Sequence, residues 1–259
     1  MTVGTQASVR SGEVMFARYA YPPNQLGYCG PDDSDGLFDV AMGTRLELGA
    51  RARAFDGAWA YLEIIASAAR IEDPLDPRVV EAYWVGNELL EQVDPADFAS
   101  AVRTRFGGER RAHWAGLNPN GAHPSVPHHG FHVFTVYPWV ALLGRGDTPL
   151  SVLDRCRIRW GQVVSIPGDH VQVSCRPLSW DGRQLGLGPE RVETARWAQA
   201  GRSPLGQPAV GDWVSLHWDW TCERLSAAQL LQLRQRTEQQ LDTTNRAISR
   251  VASSAGHNS

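Results

Sequence analysis

Lysine is absent: all 25 basic residues are arginine. That removes Schiff-base chemistry, a lysine-anchored pyridoxal phosphate and the phosphate-gripping lysine of nucleotide-binding P-loops. Cysteine is scarce. The four present, Cys29, Cys156, Cys175 and Cys222, include no Cys-x-x-Cys pair, so neither a zinc ribbon nor a redox dithiol is indicated and free thiols are expected. No apolar run is long enough to span a bilayer, and the polar segment Met1 to Val14 lacks the apolar stretch of an export signal, which points to a cytoplasmic protein that is not membrane-bound. A formal net charge of -3 gives no electrostatic reason to expect nucleic acid as a partner.

What is present divides into two halves of different period. A chain of 259 residues is long enough for two modest domains, each with its own core. From Asp35 to Phe106 apolar residues recur at helical spacing, as in Trp59, Leu62, Ile65 and Ala66, and two or three helices fit. The Asp73-Pro74-Leu75-Asp76-Pro77 cluster interrupts them, and Asp94-Pro95 reads as an N-cap with a first-turn proline. Residues 107–130, rich in Gly, Pro, Asn and His, read as a long surface loop, and Pro138 as the start of a short helix ending at Gly144. The segment Gly144 to Pro149 is the expected boundary between units of separate core.

Beyond it the pattern alternates. Ile158 to Ile166 and His170 to Cys175 form a hairpin about the turn Pro167-Gly168-Asp169, Gln184 to Leu187 forms a third short strand, and Asp212 to Trp218 the closing one. Short strands joined by turns suggest a small OB-like barrel, which hides its own edges. Ser226 and Gln229 form a capping box for a polar helix expected to lie on that barrel. The expected fold is therefore α+β: a mainly helical unit over 1–148, a barrel plus helix over 149–246, and a flexible tail over 247–259.

The second unit opens with Cys156-Arg157-Ile158-Arg159-Trp160-Gly161-Gln162-Val163-Val164 and ends its strands with Gly211-Asp212-Trp213-Val214-Ser215-Leu216-His217. Arg155, Arg157 and Arg159 beside the thiol would favour its thiolate. Gly161 would permit a bulge or a close backbone approach that presents Cys156 at the barrel rim. A buried, inert thiol is the alternative for such a cysteine. This pattern resembles the HypC/HupF family of [NiFe]-hydrogenase maturation chaperones, whose chains begin Cys-x-x-x-x-Gly-x-Val and reach Gly-Asp-x-Val-x-x-His before a polar helix. The resemblance covers about a third of the chain. It implies that Cys156, with His217, carries an Fe(CN)2CO unit transiently, that the partners are a maturation scaffold protein and the hydrogenase large-subunit precursor, and that no catalytic turnover is needed. Two departures stand out: Cys156 is internal where the family's cysteine is N-terminal, and Trp160 replaces the family's proline.

His217 can ligate iron, hold a proton near the thiolate, or simply satisfy a backbone carbonyl. Trp218 and Trp220 offer a core plug and an exposed aromatic contact. In the first half, Cys29 sits between Gly27 and Gly30 in a turn-dense segment as a structural or reactive thiol. His128, His129 and His132 form a candidate metal group, although histidines in such a loop are more often exposed. The rival reading is therefore a metal- or thiol-dependent enzyme with its site in the helical unit and the barrel as a binding appendage.

Overall fold

A computed structural model describes residues 12–44, 48–106 and 124–255. Helices come first, then a sheet, then one long helix. The first part comprises α1 (Gly12–Gln25), α2 (Ser34–Ala41), α3 (Gly49–Arg53), α4 (Asp56–Ala68), α5 (Pro77–Trp84), a 3-10 turn (Glu88–Gln92) and α6 (Pro95–Phe106). Asp76 caps α5 with Pro77 in its first turn. Asp94 accepts from the backbone N–H of Ala96 and Asp97, as its position before Pro95 requires. α1 was not legible, since Pro22 and Pro23 lie inside its last turn. Pro23 has no N–H to give the Tyr19 carbonyl four residues back, and that carbonyl accepts from His217 Nδ1–H instead, while the helix buries Phe16, Tyr19 and Tyr21.

The expected surface loop at 107–130 lies for residues 107–123 outside the described residues. Its remainder is not a surface element: Ser125, His128 and His129 are buried. It leads into α7 (His129–Phe131) and directly into a π-helical turn, His132–Val136. A 3-10 turn, Pro138–Leu142, follows as expected. Next comes α8 (Thr148–Cys156), an element not foreseen, which places Cys156 at a helix C-terminus rather than at the start of a strand.

Seven strands follow among the described residues: β1 (Arg159–Ser165), β2 (His170–Cys175), β3 (Leu178–Trp180), β4 (Leu185–Leu187), β5 (Arg191–Arg196), β6 (Trp213–His217) and β7 (Trp220–Arg224). Five of them close on themselves in the order β1-β2-β5-β7-β6, while β3 and β4 form a separate ribbon. The ring is closed by a short parallel pairing of Arg196 with Trp220, which the bond from Arg196 N–H to Asp219 O (2.7 Å) supports. The expected closing strand is followed by one more, because Trp218-Asp219 makes a two-residue turn into β7 with Trp218 at φ 54°. Gly161 meets the expected need for close approach: a Cβ there would lie 2.4 Å from Val173 Cγ1 and 2.7 Å from Ser174 O. The bulge in β1 falls elsewhere, between Val163 and Ser165.

α9 (Ala227–Ala255) begins with the capping box, Gln229 N–H donating to Ser226 Oγ and Ser226 N–H to Gln229 Oε1. It runs through most of the expected flexible tail, where the Ser249 and Ser253 hydroxyls donate to carbonyls one turn back. Its backbone runs beside α7, the π-turn and β4, and its first half also meets the ring, with Arg234 over the Trp160 and Trp213 rings. Asn245 grips both backbone groups of Leu185.

The two halves share a large apolar cluster. It joins Phe16, Tyr19, Trp84 and Phe98 of the helices to Ile158, Trp160, Trp220, Leu230 and Leu233. The ring interior is a smaller cluster of Val163, Val171, Val173, Ala195, Val214 and Leu216. The residues at Gly144 to Pro149 only join the Pro138–Leu142 turn to α8, and the chain passes from helix to strand after Cys156, so the expected boundary is not where the secondary structure changes. Among the described residues no helix is long and apolar enough to cross a membrane.

Candidate functional site

A cavity of about 540 Å3 lies where the helical part meets the closed sheet. Its walls come from both halves of the chain: Tyr28 and Cys29 from the α1–α2 link, Tyr83 and Trp84 from α5, His129 and His132 from the α7 and π-turn segment, Cys156 from α8, and His217 and Trp218 from the end of β6. The ligand atoms of His129, Cys156 and His217 all lie within 4.8 Å of one another, and all three residues are buried.

Each position has a local cause. His217 ends β6, and its Nδ1–H donates to Tyr19 O at 2.6 Å. Its Nε2 is buried without a hydrogen-bond partner among the described residues, although the nearby Cys156 carbonyl favours the ring's protonation. His129 and His132 are three residues apart, so the helical turn carries both to one face. His128 precedes the helix and caps it instead, Nδ1 accepting from Gly130 N–H at 3.0 Å. The candidate group His128, His129 and His132 is therefore divided, with His128 turned to a separate small cavity beside Arg236 and Gln240.

His129 Nε2 lies 2.9 Å from Cys156 O and its Nδ1 3.1 Å from Tyr83 Oη. Together with Trp218 N–H, which donates to Arg155 O at 2.8 Å, it satisfies carbonyls that α8 leaves open at its C-terminus. His132 Nδ1 pairs with Tyr61 Oη at 3.1 Å. The Trp84 ring stands 4.7 Å from that of His129 and 5.7 Å from that of His217.

Burial sets the protonation states. It lowers His129 to about 4 and His132 to about 3, and it pushes His217 well below the ordinary imidazole value, with His129 adding to the effect. These rings are neutral near pH 7 and keep lone pairs. The Cys156 thiol is held far above the ordinary value, first by burial and then by Cys29. The negative end of α8 acts in the same direction.

The expected arginine-stabilised thiolate at an exposed rim is thus overturned: Cys156 is 7 % exposed, and the arginines have other partners. Arg155 lies over the Trp218 ring at 5.6 Å. Arg157 is buried against Asp154 at 3.0 Å and donates to Arg176 O. Arg159 pairs with Glu193 and with the Trp218 carbonyl.

Cys29 lies on the cavity wall with its thiol raised to about 12 by burial. Of the glycines beside it Gly30 serves packing, since a Cβ there, at φ 81°, would fall 2.3 Å from the Phe55 ring, whereas Gly27, at φ 73°, has open space around it and serves the turn. Trp218 is not an exposed contact either. It is buried and stacks on Tyr28 at 4.5 Å, while Trp220 is buried in the shared core. Tyr83, Trp84, Tyr28 and the Tyr19 carbonyl were not recognisable from spacing, since nothing in a linear pattern separates an aromatic beside a site from one in a core.

Fold and site define an α+β protein in which a helical part and a closed sheet share a core and enclose a cluster of one cysteine and two histidines opening on an aromatic cavity. A family model matches residues 8–251, and the chain belongs to that family, described as a family of unknown function (DUF6390). No curated protein and no solved structure matches the chain.

Proposed function

We propose that the protein is an accessory or chaperone protein of [NiFe]-hydrogenase maturation, working in the cytoplasm, that carries or hands over an Fe(CN)2CO unit or binds the large-subunit precursor. The observation that carries the reading is the convergence of Cys156 and His217. The two residues paired by the HypC/HupF-like pattern, far apart in sequence, are buried side by side with ligand atoms within 4.8 Å. Thiolate and imidazole suit low-spin iron. The cavity of about 540 Å3 leaves room for diatomic ligands around one ion. We read the closed ring with its C-terminal helix as a small OB-like barrel, and the helical part as a partner-recognition module that also walls the iron site. The partners are a maturation scaffold protein and the large-subunit precursor.

The test is infrared spectroscopy of protein co-expressed with the maturation partners. Bands of iron-bound cyanide and carbon monoxide are expected. Cys156→Ala should abolish them and Cys29→Ala should keep them. Bands that survive Cys156→Ala would overturn the assignment of that residue.

A second reading, a metal- or thiol-dependent enzyme, is favoured by one observation: Cys29 and His132 line the same cavity as Cys156. It predicts turnover by the chain without maturation partners. Loss of that turnover in Cys29→Ser, with the infrared bands absent in every protein, would select it.

A further inference from the structure

We infer that His129 completes a three-ligand centre, so that the chain alone binds one bare divalent transition-metal ion between Cys156, His129 and His217. The inference deepens the proposed role and rests on the same cavity, but it needs neither the diatomic ligands nor a partner. His129 lies outside the segment that resembles HypC/HupF and is supplied by the helical half.

Three observations converge. The ligand atoms of the trio fall within 4.8 Å of one another. Around a tetrahedral zinc-type ion such atoms stand roughly 3.3–3.7 Å apart, so side-chain adjustments of about 1 Å close the set. His217 Nε2, on a side chain 1 % exposed, has no hydrogen-bond partner among the described residues, and a buried acceptor left unpaired is costly unless something binds it. Its Nδ1–H is meanwhile held by Tyr19 O at 2.6 Å, the outer contact that fixes a ligating imidazole. Whichever nitrogen of His129 turns to the ion, the other keeps a partner: Tyr83 Oη at 3.1 Å for Nδ1, or Cys156 O at 2.9 Å for Nε2.

The chemistry balances simply. Cys156 Sγ–H gives its proton to solvent as the sulfur–metal bond forms, and the neutral imidazoles donate lone pairs without change of charge. One thiolate with two imidazoles suits zinc, cobalt or iron in the divalent state. The fourth position faces the cavity, whose Trp84 and Trp218 walls favour a small ligand of low charge.

Purified, metal-free full chain titrated with cobalt(II) tests this. The expected result is one equivalent bound, with the visible bands of four-coordinate cobalt and a near-ultraviolet sulfur-to-cobalt charge-transfer band. Cys156→Ser should remove the charge-transfer band. His129→Ala should weaken binding at least tenfold, and Tyr83→Phe should weaken it less. His170→Ala, at the exposed start of β2 and away from the cavity, should leave binding unchanged, and circular dichroism would show that each variant folds. Cobalt bound without the charge-transfer band, or a folded His129→Ala protein with unchanged affinity and spectrum, would overturn the inference. Infrared bands from co-expressed protein together with no cobalt binding would overturn it and leave the chaperone role standing. Cobalt binding without those bands would support it and count against the iron-unit cargo.

Discussion

Buried neutral histidines give the site its chemistry and the protein an acid weakness. His128 and His132 are lowered to about 3, His129 to about 4 and His217 well below 6.5, in each case first by burial. With folded values below the unfolded one, the unfolded chain binds more protons in acid. Stability is therefore full above the unfolded value near 6.5 and falls as pH drops toward 3–4. At pH 5 His128, His129 and His132 each cost roughly 2 kcal/mol, from about 1.36 kcal/mol per pH unit below the unfolded pKa, and His217 acts in the same direction. Together they are a large part of the stability of a typical domain. Urea unfolding of the metal-free protein should show a steep loss of stability between pH 7 and 5. A flat profile would mean that these rings are protonated or solvated in the folded state.

Single elements set what can be changed cheaply. β1 and β2 touch across Gly161, where a Cβ meets backbone Ser174 O as well as Val173 and cannot be relieved by a rotamer change. Gly161→Ala should destabilise by about 1–3 kcal/mol, the usual cost of overpacking, seen as a lower Tm. If Tm is unchanged, the strands can part more easily than their pairing implies. At the start of α9, Ser226→Ala removes the acceptor of Gln229 N–H and should cost about 1 kcal/mol. That loss should appear in denaturant midpoints with little effect on metal binding, because the cap lies outside the cavity.

At the scale of the whole molecule, packing joins the two secondary-structure regimes. A core shared by Phe16, Trp84 and Phe98 with Trp160, Trp220 and Leu233 holds the halves together without help from the connecting turn. Proteolytic cleavage at Gly144 to Asp147, where the backbone is exposed, should give two fragments that stay together through gel filtration and separate only in denaturant. Fragments that separate in native buffer would restore the picture of independent domains.

Local signals carried as far as local physics reaches. Asp94-Pro95, the Ser226–Gln229 box, the Pro167-Gly168-Asp169 turn, the alternation of His170 to Cys175 and the tightness at Gly161 were all legible, because each is decided by residues a few positions apart. Cys156 and His217 were legible as a pair through their motif spacing, and His129 as a histidine beside others. α8 was not legible: its few apolar residues face a core assembled from distant elements, which moved Cys156 from a strand start to a helix end. Nor was its thiol state, since charge in sequence suggested arginines beside the sulfur whereas folding gave those arginines to Asp154, Glu193 and Trp218 and left the thiol in an apolar setting. The union of His129 with Cys156 and His217, the open Nε2 and the common core arise from contacts between residues far apart in the chain, and chain closure, not local preference, brings them together.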